Sequence, residues 1–151
     1  MANTQAMTTS FKGEILTATH NFGVAPTRGS SAADTFKAAL YLASATINAT
    51  TTAYTTLGEV SGTNYTPGGI NVTNATPPAT SGTTAYWTPS ASLTYTTVTL
   101  STAFDCVLIY NNTQSNKAVS VHTFGSQTVT AGTFTLTMPT NAAGTALLNI
   151  A

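Results

Sequence analysis

The sequence predicts an all-β domain, in the form of an antiparallel β-sandwich or jelly-roll-like fold with a short N-terminal helix or arm. The apolar residues 106–110 meet a polar turn at residues 111–116, and residues 117–121 return as a second strand. This pattern is typical of a β-hairpin with at least one arm buried on both faces. Residues 133–138 alternate strictly between a threonine and an apolar side chain, the period of a strand with one buried face. The same period recurs at Ala146, Leu148 and Ile150.

Charge is scarce in this chain. Charged residues make up 5% of its 151 residues, against roughly 25% in an average soluble domain. The formal net charge is +0, and the four basic residues are scattered: Lys12, Arg28, Lys37 and Lys117. Because neutralising phosphates takes clustered lysine or arginine, nucleic acid is not an expected partner. A neutral domain also tends to associate, which indicates a surface partly buried in an assembly.

Other features of the composition bound the class of protein. A hydrophobic content of 42% with 9% aromatic residues opposes intrinsic disorder. The single cysteine, Cys106, lies in an apolar run, which predicts a buried and inert thiol. Residues 1–14 lack the basic and apolar regions of a signal peptide, so none is expected. No stretch approaches 18 consecutive apolar residues, so no membrane contact is predicted.

The first third of the chain predicts an arm, a helix, a loop and a strand. Residues 1–9 are polar, and we expect a flexible arm that orders only against a neighbour. Ser10 can cap a short helix, with Phe11, Ile15 and Phe22 near one face. Residues 22–34 read as a loop from their Gly, Pro and Ser content. Residues 34–42 form a strand with four apolar side chains on one face: Phe36, Ala38, Leu40 and Leu42.

The middle of the chain predicts turns and short strands. Residues 43–57 are ambiguous, and we expect a loop with a helical turn near residues 50–54. Residues 58–69 carry the densest turn signal, and a short strand follows at residues 70–73. Residues 74–83 form a loop, because Pro77 and Pro78 cannot sit in a central strand. Another strand is expected at residues 93–100. The near-regular spacing favours one β domain over residues 10–151.

Trp87 allows three interpretations. It can anchor the core, anchor an interface, or present a platform for carbohydrate. The large area that a tryptophan buries favours the first, and its enrichment at interfaces supports the second.

No catalytic, cofactor-binding or metal-binding residue stands out. The four acids are far apart in sequence, which gives no paired carboxylates: Glu14, Asp34, Glu59 and Asp105. His20, His122 and Cys106 lack metal-ligand spacing. The residue types for a triad of Asp105, His122 and a serine are present, but no G-x-S-x-G elbow indicates that they come together. The Gly-rich residues 66–69 match no phosphate-binding loop. We therefore expect no enzyme and no cofactor.

Five segments, in this order, carry a resemblance to a known family. They are DTFKAALY at residues 34–41, TAYTT at 52–56, GEVSGTNYTPGG at 58–69, LIYNNTQSNKAV at 108–119 and FGSQTVTAGTFTL at 124–136. Together they resemble a family of small virion structural proteins of tailed bacteriophages, over a span from about Phe11 to the C-terminus. The family has no catalytic motif, so no functional residue is transferred.

The resemblance implies a capsid cement or decoration protein that binds the outer capsid surface and stabilises contacts between major capsid subunits. The expected location is the virion, and the expected partners are the major capsid protein and further copies of the chain, as a homodimer or homotrimer. The candidate contacts are the arm at residues 1–9 and the loops at residues 58–69 and 74–83.

Other functions are weighed against this one. The alternative is a tail, neck or fibre component that binds host-surface glycan through Trp87 and tyrosine-rich loops. A secreted adhesin-like β-domain is less favoured because no export signal is found, and an enzyme is the least supported.

Overall fold

β-structure dominates the chain, in accordance with the predicted all-β class. The computed structural model describes residues 2–16, 18–23 and 33–151. Within these ranges one helix is present, α1 at Thr9–Leu16. The strands are β1 Ala6–Met7, β2 Phe36–Leu42, β3 Ile70–Asn71, β4 Ala79–Ser81, β5 Thr84–Trp87, β6 Leu93–Asn111, β7 Lys117–Leu136 and β8 Leu148–Ile150. The prediction of an all-β domain with a short N-terminal helix is confirmed.

The strands form two sheets, and every pairing between the named strands is antiparallel. The larger sheet has the order β1-β7-β6-β2-β3, and the smaller sheet has the order β4-β5-β8. In the smaller sheet, Trp87 on β5 lies opposite Leu148 on β8. The finer prediction of a sandwich or jelly roll stays a prediction.

The hairpin of β6 and β7 is the longest element of the fold. The strand predicted at residues 93–100 and the first arm of the predicted hairpin are one continuous strand, paired with β7 from Leu93 to Asn111. The register shifts at several places along this pair. Two of its residues, Thr97 and Ala131, have positive φ angles of 51° and 46°. These irregularities have the character of β-bulges, which bend a hairpin and increase its local twist.

Strand β2 is buried on both faces, and this organises the core. The side chains on one face belong to the first hydrophobic cluster, as the alternating pattern predicts: Phe36, Ala38 and Leu40. Ala39 and Tyr41, on the other face, belong to the second cluster. Strand β6 divides in the same way, with Val107 and Ile109 in the first cluster and Cys106, Leu108 and Tyr110 in the second.

Residues 43–57 cover the second cluster without the predicted helical turn. Their backbone hydrogen-bonds with the hairpin instead, because the Tyr54 N–H donates to Asn116 O at 2.9 Å and Thr52 O accepts from Ala118 N at 3.0 Å. The Tyr54 ring stacks on Tyr110 with centroids 4.9 Å apart. The prediction of a helical turn near residues 50–54 is therefore wrong, since tertiary pairing outweighs a weak local preference.

The cap of helix α1 lies two residues before the one that the sequence predicts. Thr8, and not Ser10, accepts a hydrogen bond from the Phe11 N–H, at 3.4 Å, which is the role of an N-cap. Phe11 is buried in the first cluster. Most of the predicted loop at residues 22–34, including Arg28, lies outside the described residues.

Candidate interaction surface

Residues 2–9, within the segment predicted to be a flexible arm, lie against the sheet. The Asn3 amide donates to Asp105 Oδ1 at 2.6 Å and to Leu42 O at 3.0 Å, and it accepts from Ile47 N at 2.8 Å. Strand β1 pairs with β7. Thr8 is fully buried, and its hydroxyl donates to Ala118 O at 3.0 Å. The side chains of Asn3 and Thr8 therefore find hydrogen-bond partners within the same chain, whereas the predicted arm orders only against a neighbour.

We expect the variant Asn3→Ala to lower the free energy of unfolding by about 2 kcal/mol, because three hydrogen bonds are lost, one of them to a carboxylate. Chemical denaturation measures this change. The matched control is Gln5→Ala, an exposed residue of the same segment, for which we expect a change within about 0.5 kcal/mol. Equal stability of Asn3→Ala and the wild type would indicate a segment that contributes nothing to the fold.

The loop at residues 58–69 is organised around the carboxylate of Glu59. Its Oε2 accepts from the Tyr54 hydroxyl at 2.6 Å, and its Oε1 accepts from the Tyr65 hydroxyl at 2.8 Å and from Gly68 N at 2.7 Å. Burial, together with the neighbouring Glu59, raises the pKa of both tyrosines, so they remain donors at neutral pH. The Tyr65 hydroxyl also accepts from Leu40 N at 3.0 Å, which fastens the loop to β2.

The segment at residues 74–83, predicted to be a loop, contains strand β4, and its first residue hydrogen-bonds with the aromatic part of the core. Asn74 donates to Phe22 O at 3.1 Å and accepts from Trp87 Nε1 at 2.9 Å. The Trp87 side chain packs against Phe22, with centroids 4.7 Å apart, and is only 2% exposed. Of its three interpretations, the core anchor is confirmed. Pro77 and Pro78 lie just before β4, at the edge of the smaller sheet, as their chemistry requires.

An apolar cleft opens between α1 with the segment that follows it and one face of the smaller sheet. Its volume is about 230 Å³. From the helix side it is lined by Phe11, Ile15 and Phe22, and from the sheet side by Ala85, Trp87, Leu148 and Ile150. Among the described residues, three large hydrophobic side chains are exposed, and two of them flank this cleft: Ile15 at 37% and Ile150 at 42%. The third, Leu57, is 83% exposed and does not line the cleft.

A second groove adjoins the cleft and shares Ile15 and Ile150 with it. Its volume is about 450 Å³, and its other lining residues are Met7, Lys12, Asn149 and Ala151. Sequence reasoning missed this region. The only signal was two apolar residues, one on the predicted helix and one in the last alternating segment, with nothing to show that they meet.

A chain of polar side chains joins α1 to the hairpin turn behind the cleft. Glu14 lies 2.5 Å from Lys117 Nζ and 2.7 Å from His20 Nε2. Although burial opposes ionisation, hydrogen bonds from Lys117 and His20 lower the pKa of Glu14. The amide of Asn111 lies 3.0 Å from His20 Nδ1 and donates to Asp34 Oδ2 at 2.7 Å. Both ring nitrogens of His20 are therefore engaged within the chain.

The residues considered for catalysis do not assemble into a triad. His122 Nε2 lies 2.9 Å from Ser120 Oγ, but Ser120 is buried and Asp105 binds Asn3 instead. Burial raises the pKa of Cys106 to about 12, which keeps its thiol protonated. Within the described ranges, no three His, Cys, Asp or Glu side chains gather as a metal site would require.

Burial lowers the pKa of His122 to about 4 in the folded state, below the value of about 6.5 for an unfolded chain. Since the unfolded state then binds the proton more readily, stability is complete above pH 6.5 and falls as the pH falls towards 4. Between pH 7 and pH 4.5, we expect the free energy of unfolding to fall by about 2 to 3 kcal/mol more for the wild type than for the variant His122→Gln. Urea unfolding of both proteins at pH 7 and pH 4.5 measures the difference, and identical pH profiles would contradict it.

Comparison with models of known protein families, with curated proteins and with solved structures finds no match in any of the three. In the part of the chain that the structure describes, no helix is long and apolar enough to cross a lipid bilayer.

Proposed function

We propose that this chain is a non-enzymatic virion structural protein of a tailed bacteriophage. It binds the outer capsid surface as a cement or decoration protein and stabilises contacts between major capsid subunits. Its partners are the major capsid protein and further copies of itself, as a homodimer or homotrimer. Weak contacts of this kind become strong when they are repeated over a shell, because each bound contact raises the effective concentration for the next.

The observation that carries the proposal is the apolar cleft with Ile15 and Ile150 exposed beside it. Contiguous exposed apolar surface beside a concave site is typical of places where another macromolecule binds. The low charge of the chain supports the same function, since 5% charged residues leave little of the surface strongly hydrated. The five segments that resemble phage structural proteins give the class of partner.

The alternative is a tail, neck or fibre component that binds host-surface glycan. The position of Trp87, its main candidate residue, does not support it. A carbohydrate platform needs an accessible aromatic face, and Trp87 is enclosed by Phe22, Phe36 and Asn74. No other observation favours this alternative.

Cryo-electron microscopy of purified particles tests the proposed function by copy number and position. We expect ordered density for this chain over the whole capsid lattice, in hundreds of copies. Density confined to one vertex, to the neck or to the tail would overturn the proposal and favour the alternative.

A further inference from the structure

His122 lines a small cavity between the larger sheet and the segment that follows β7. The volume of this cavity is about 110 Å³, and residues 136–139 and Leu147 line it from that segment. Strand β6 contributes three apolar side chains, those of Leu93, Val107 and Ile109. Apart from His122, the only polar side chains of the lining are the hydroxyls of Thr123 and Thr137. Such a cavity accommodates a neutral imidazole at lower cost than an imidazolium ion.

No acid is placed to stabilise a charged His122. Among the described residues, its one hydrogen-bond partner is Ser120, whose Oγ lies 2.9 Å from His122 Nε2. The acids on neighbouring elements have other partners: Asp105 of β6 accepts from Asn3, and Glu14 of α1 binds Lys117 and His20. Burial is the cause that lowers the pKa of His122, and no charged group contributes to this change.

The remaining ionisable groups near this part of the sheet are cations. Lys12 on α1 is exposed, and Lys117 begins β7. Strand β1 and residues 136–147 contain no ionisable side chain, and the residues that the structure does not describe contain one, Arg28. Because a cation opposes the protonation of a nearby histidine, none of these groups can compensate an imidazolium ion in the cavity.

Residues 137–151, the covering segment, are held less firmly than the sheet beneath them. In the described part of the chain, two hydrogen bonds join residues 137–147 to earlier elements: Met138 N donates to Ser92 Oγ at 3.3 Å, and Leu147 N donates to Thr88 Oγ1 at 2.9 Å. Beyond them, β8 pairs with β5 over three residues. The sheet side of the cavity is the long ladder between β6 and β7. Movement of the covering segment therefore costs less than movement of the sheet.

We propose that the covering segment opens at mildly acidic pH, while the larger sheet stays folded, because His122 beneath it takes up a proton. In the closed form the imidazolium ion has neither an acid nor free access to water. In the open form water solvates it. Protonation therefore favours the open form, since a ligand shifts an equilibrium towards the state that binds it more tightly. This device belongs to the chain alone and operates whether or not the proposed function is correct.

The direction and size of the effect follow from the two pKa values of His122. Its pKa is about 4 in the closed form and about 6.5 when the ring is solvated. The closed form is therefore fully favoured above pH 6.5 and loses its advantage as the pH falls towards 4. Between pH 7 and pH 4.5, we expect the ratio of open to closed molecules to rise about 50-fold.

Hydrogen exchange of the intact chain, followed by NMR at pH 7 and pH 4.5, tests this opening. The amides of Met138 and Leu147 report the covering segment, and the amide of Leu108 in the middle of β6 reports the sheet. We expect Met138 and Leu147 to be less protected than Leu108 at both pH values. Their protection should fall about 50-fold from pH 7 to pH 4.5. It should hardly respond to about 1 M urea, because a local opening exposes little surface.

Two histidine variants identify the group that takes up the proton. In His122→Gln, the protection of Met138 and Leu147 should fall less than about threefold between the two pH values, because the titrating ring is gone. The matched control is His20→Gln, which removes the other histidine of the chain and should keep the large fall. An NMR titration of the His122 ring in the wild type measures its pKa directly, so the test does not depend on the folding of either variant.

Three results would overturn the proposed opening. Equal protection and equal urea dependence of Met138, Leu147 and Leu108 would show that the covering segment opens only with the whole fold. A large fall of protection that persists in His122→Gln would assign the effect to another group. A His122 ring that titrates near pH 6.5 in the wild type would show that the closed cavity does not oppose its protonation. All three measurements use the isolated chain, so none of them decides whether it binds a capsid.

Discussion

The variant Gly69→Ala should lose more than about 4 kcal/mol of stability, enough to leave a marginal domain largely unfolded. A Cβ at this position would lie 1.7 Å from Ala38 O and 2.8 Å from the Ala39 Cα, both of which are backbone atoms of the buried strand β2. The φ angle of Gly69 is also positive, at 72°, where any other residue is strained. No side-chain rotation relieves the contact, so β3 must separate from β2.

A comparison of denaturant unfolding between Gly69→Ala and Gly82→Ala separates the effect of the steric contact from the effect of the backbone strain. Gly82 also has a positive φ angle, at 57°, but an added Cβ there meets nothing within 4 Å. We expect Gly82→Ala to cost about 1 to 2 kcal/mol, from strain alone. Unfolding of the two variants at the same denaturant concentration would contradict the close approach of Gly69 to the backbone of Ala38 and Ala39.

The variant Glu59→Ala should lower the free energy of unfolding by about 4 kcal/mol, because it removes a carboxylate that accepts hydrogen bonds from three donors. The Tyr65 hydroxyl and the Gly68 N–H would both be left without the carboxylate, in a part of the loop where water has little access. A polar group buried without its partner costs more than the hydrogen bond itself contributes. We therefore expect the loop at residues 58–69 to separate from the sheet before the rest of the fold opens.

The variant Glu59→Gln is the matched comparison. Its amide oxygen can still accept from Tyr65 and Gly68, while its NH₂ group can only donate towards Tyr54. We expect a cost of about 1 to 1.5 kcal/mol, between the wild type and Glu59→Ala. Thermal unfolding gives the order, and hydrogen exchange at the Gly68 amide reports the loop directly. If Glu59→Gln is as unstable as Glu59→Ala, the negative charge of Glu59, and not its capacity to accept hydrogen bonds, stabilises the loop.

The elements with a strong period were predictable from the sequence. The alternation in β2 identified Phe36, Ala38 and Leu40 as one face, and the apolar run at residues 106–110 identified a strand buried on both faces. These predictions succeed because side chains of a strand alternate by geometry, whatever the topology. The burial of Cys106 followed from the same run.

What the sequence could not show depends on contacts between distant segments. Leu148 and Ile150 have the period of a strand, but period alone does not say that they pair with β5 in the smaller sheet. Asn3 reads as a residue of a polar arm, because nothing nearby in sequence reveals its bond to Asp105. The candidate groove has the same origin, since it arises where α1 and β8 meet. Local preference predicts elements, whereas the partner of each element is a tertiary fact.

The position of β2 between β3 and β6 also constrains when the chain can fold. β2 ends at Leu42, and its main partner begins at Leu93 and runs to Asn111. On the ribosome, an apolar strand therefore emerges well before the strand that covers it. A short turn joins β6 to β7. This hairpin can therefore form locally as soon as it emerges, because closing a short loop costs little entropy. We expect β2 to dock onto this hairpin only after β7 has emerged, so the apolar strand stays uncovered while residues 43–136 are synthesised.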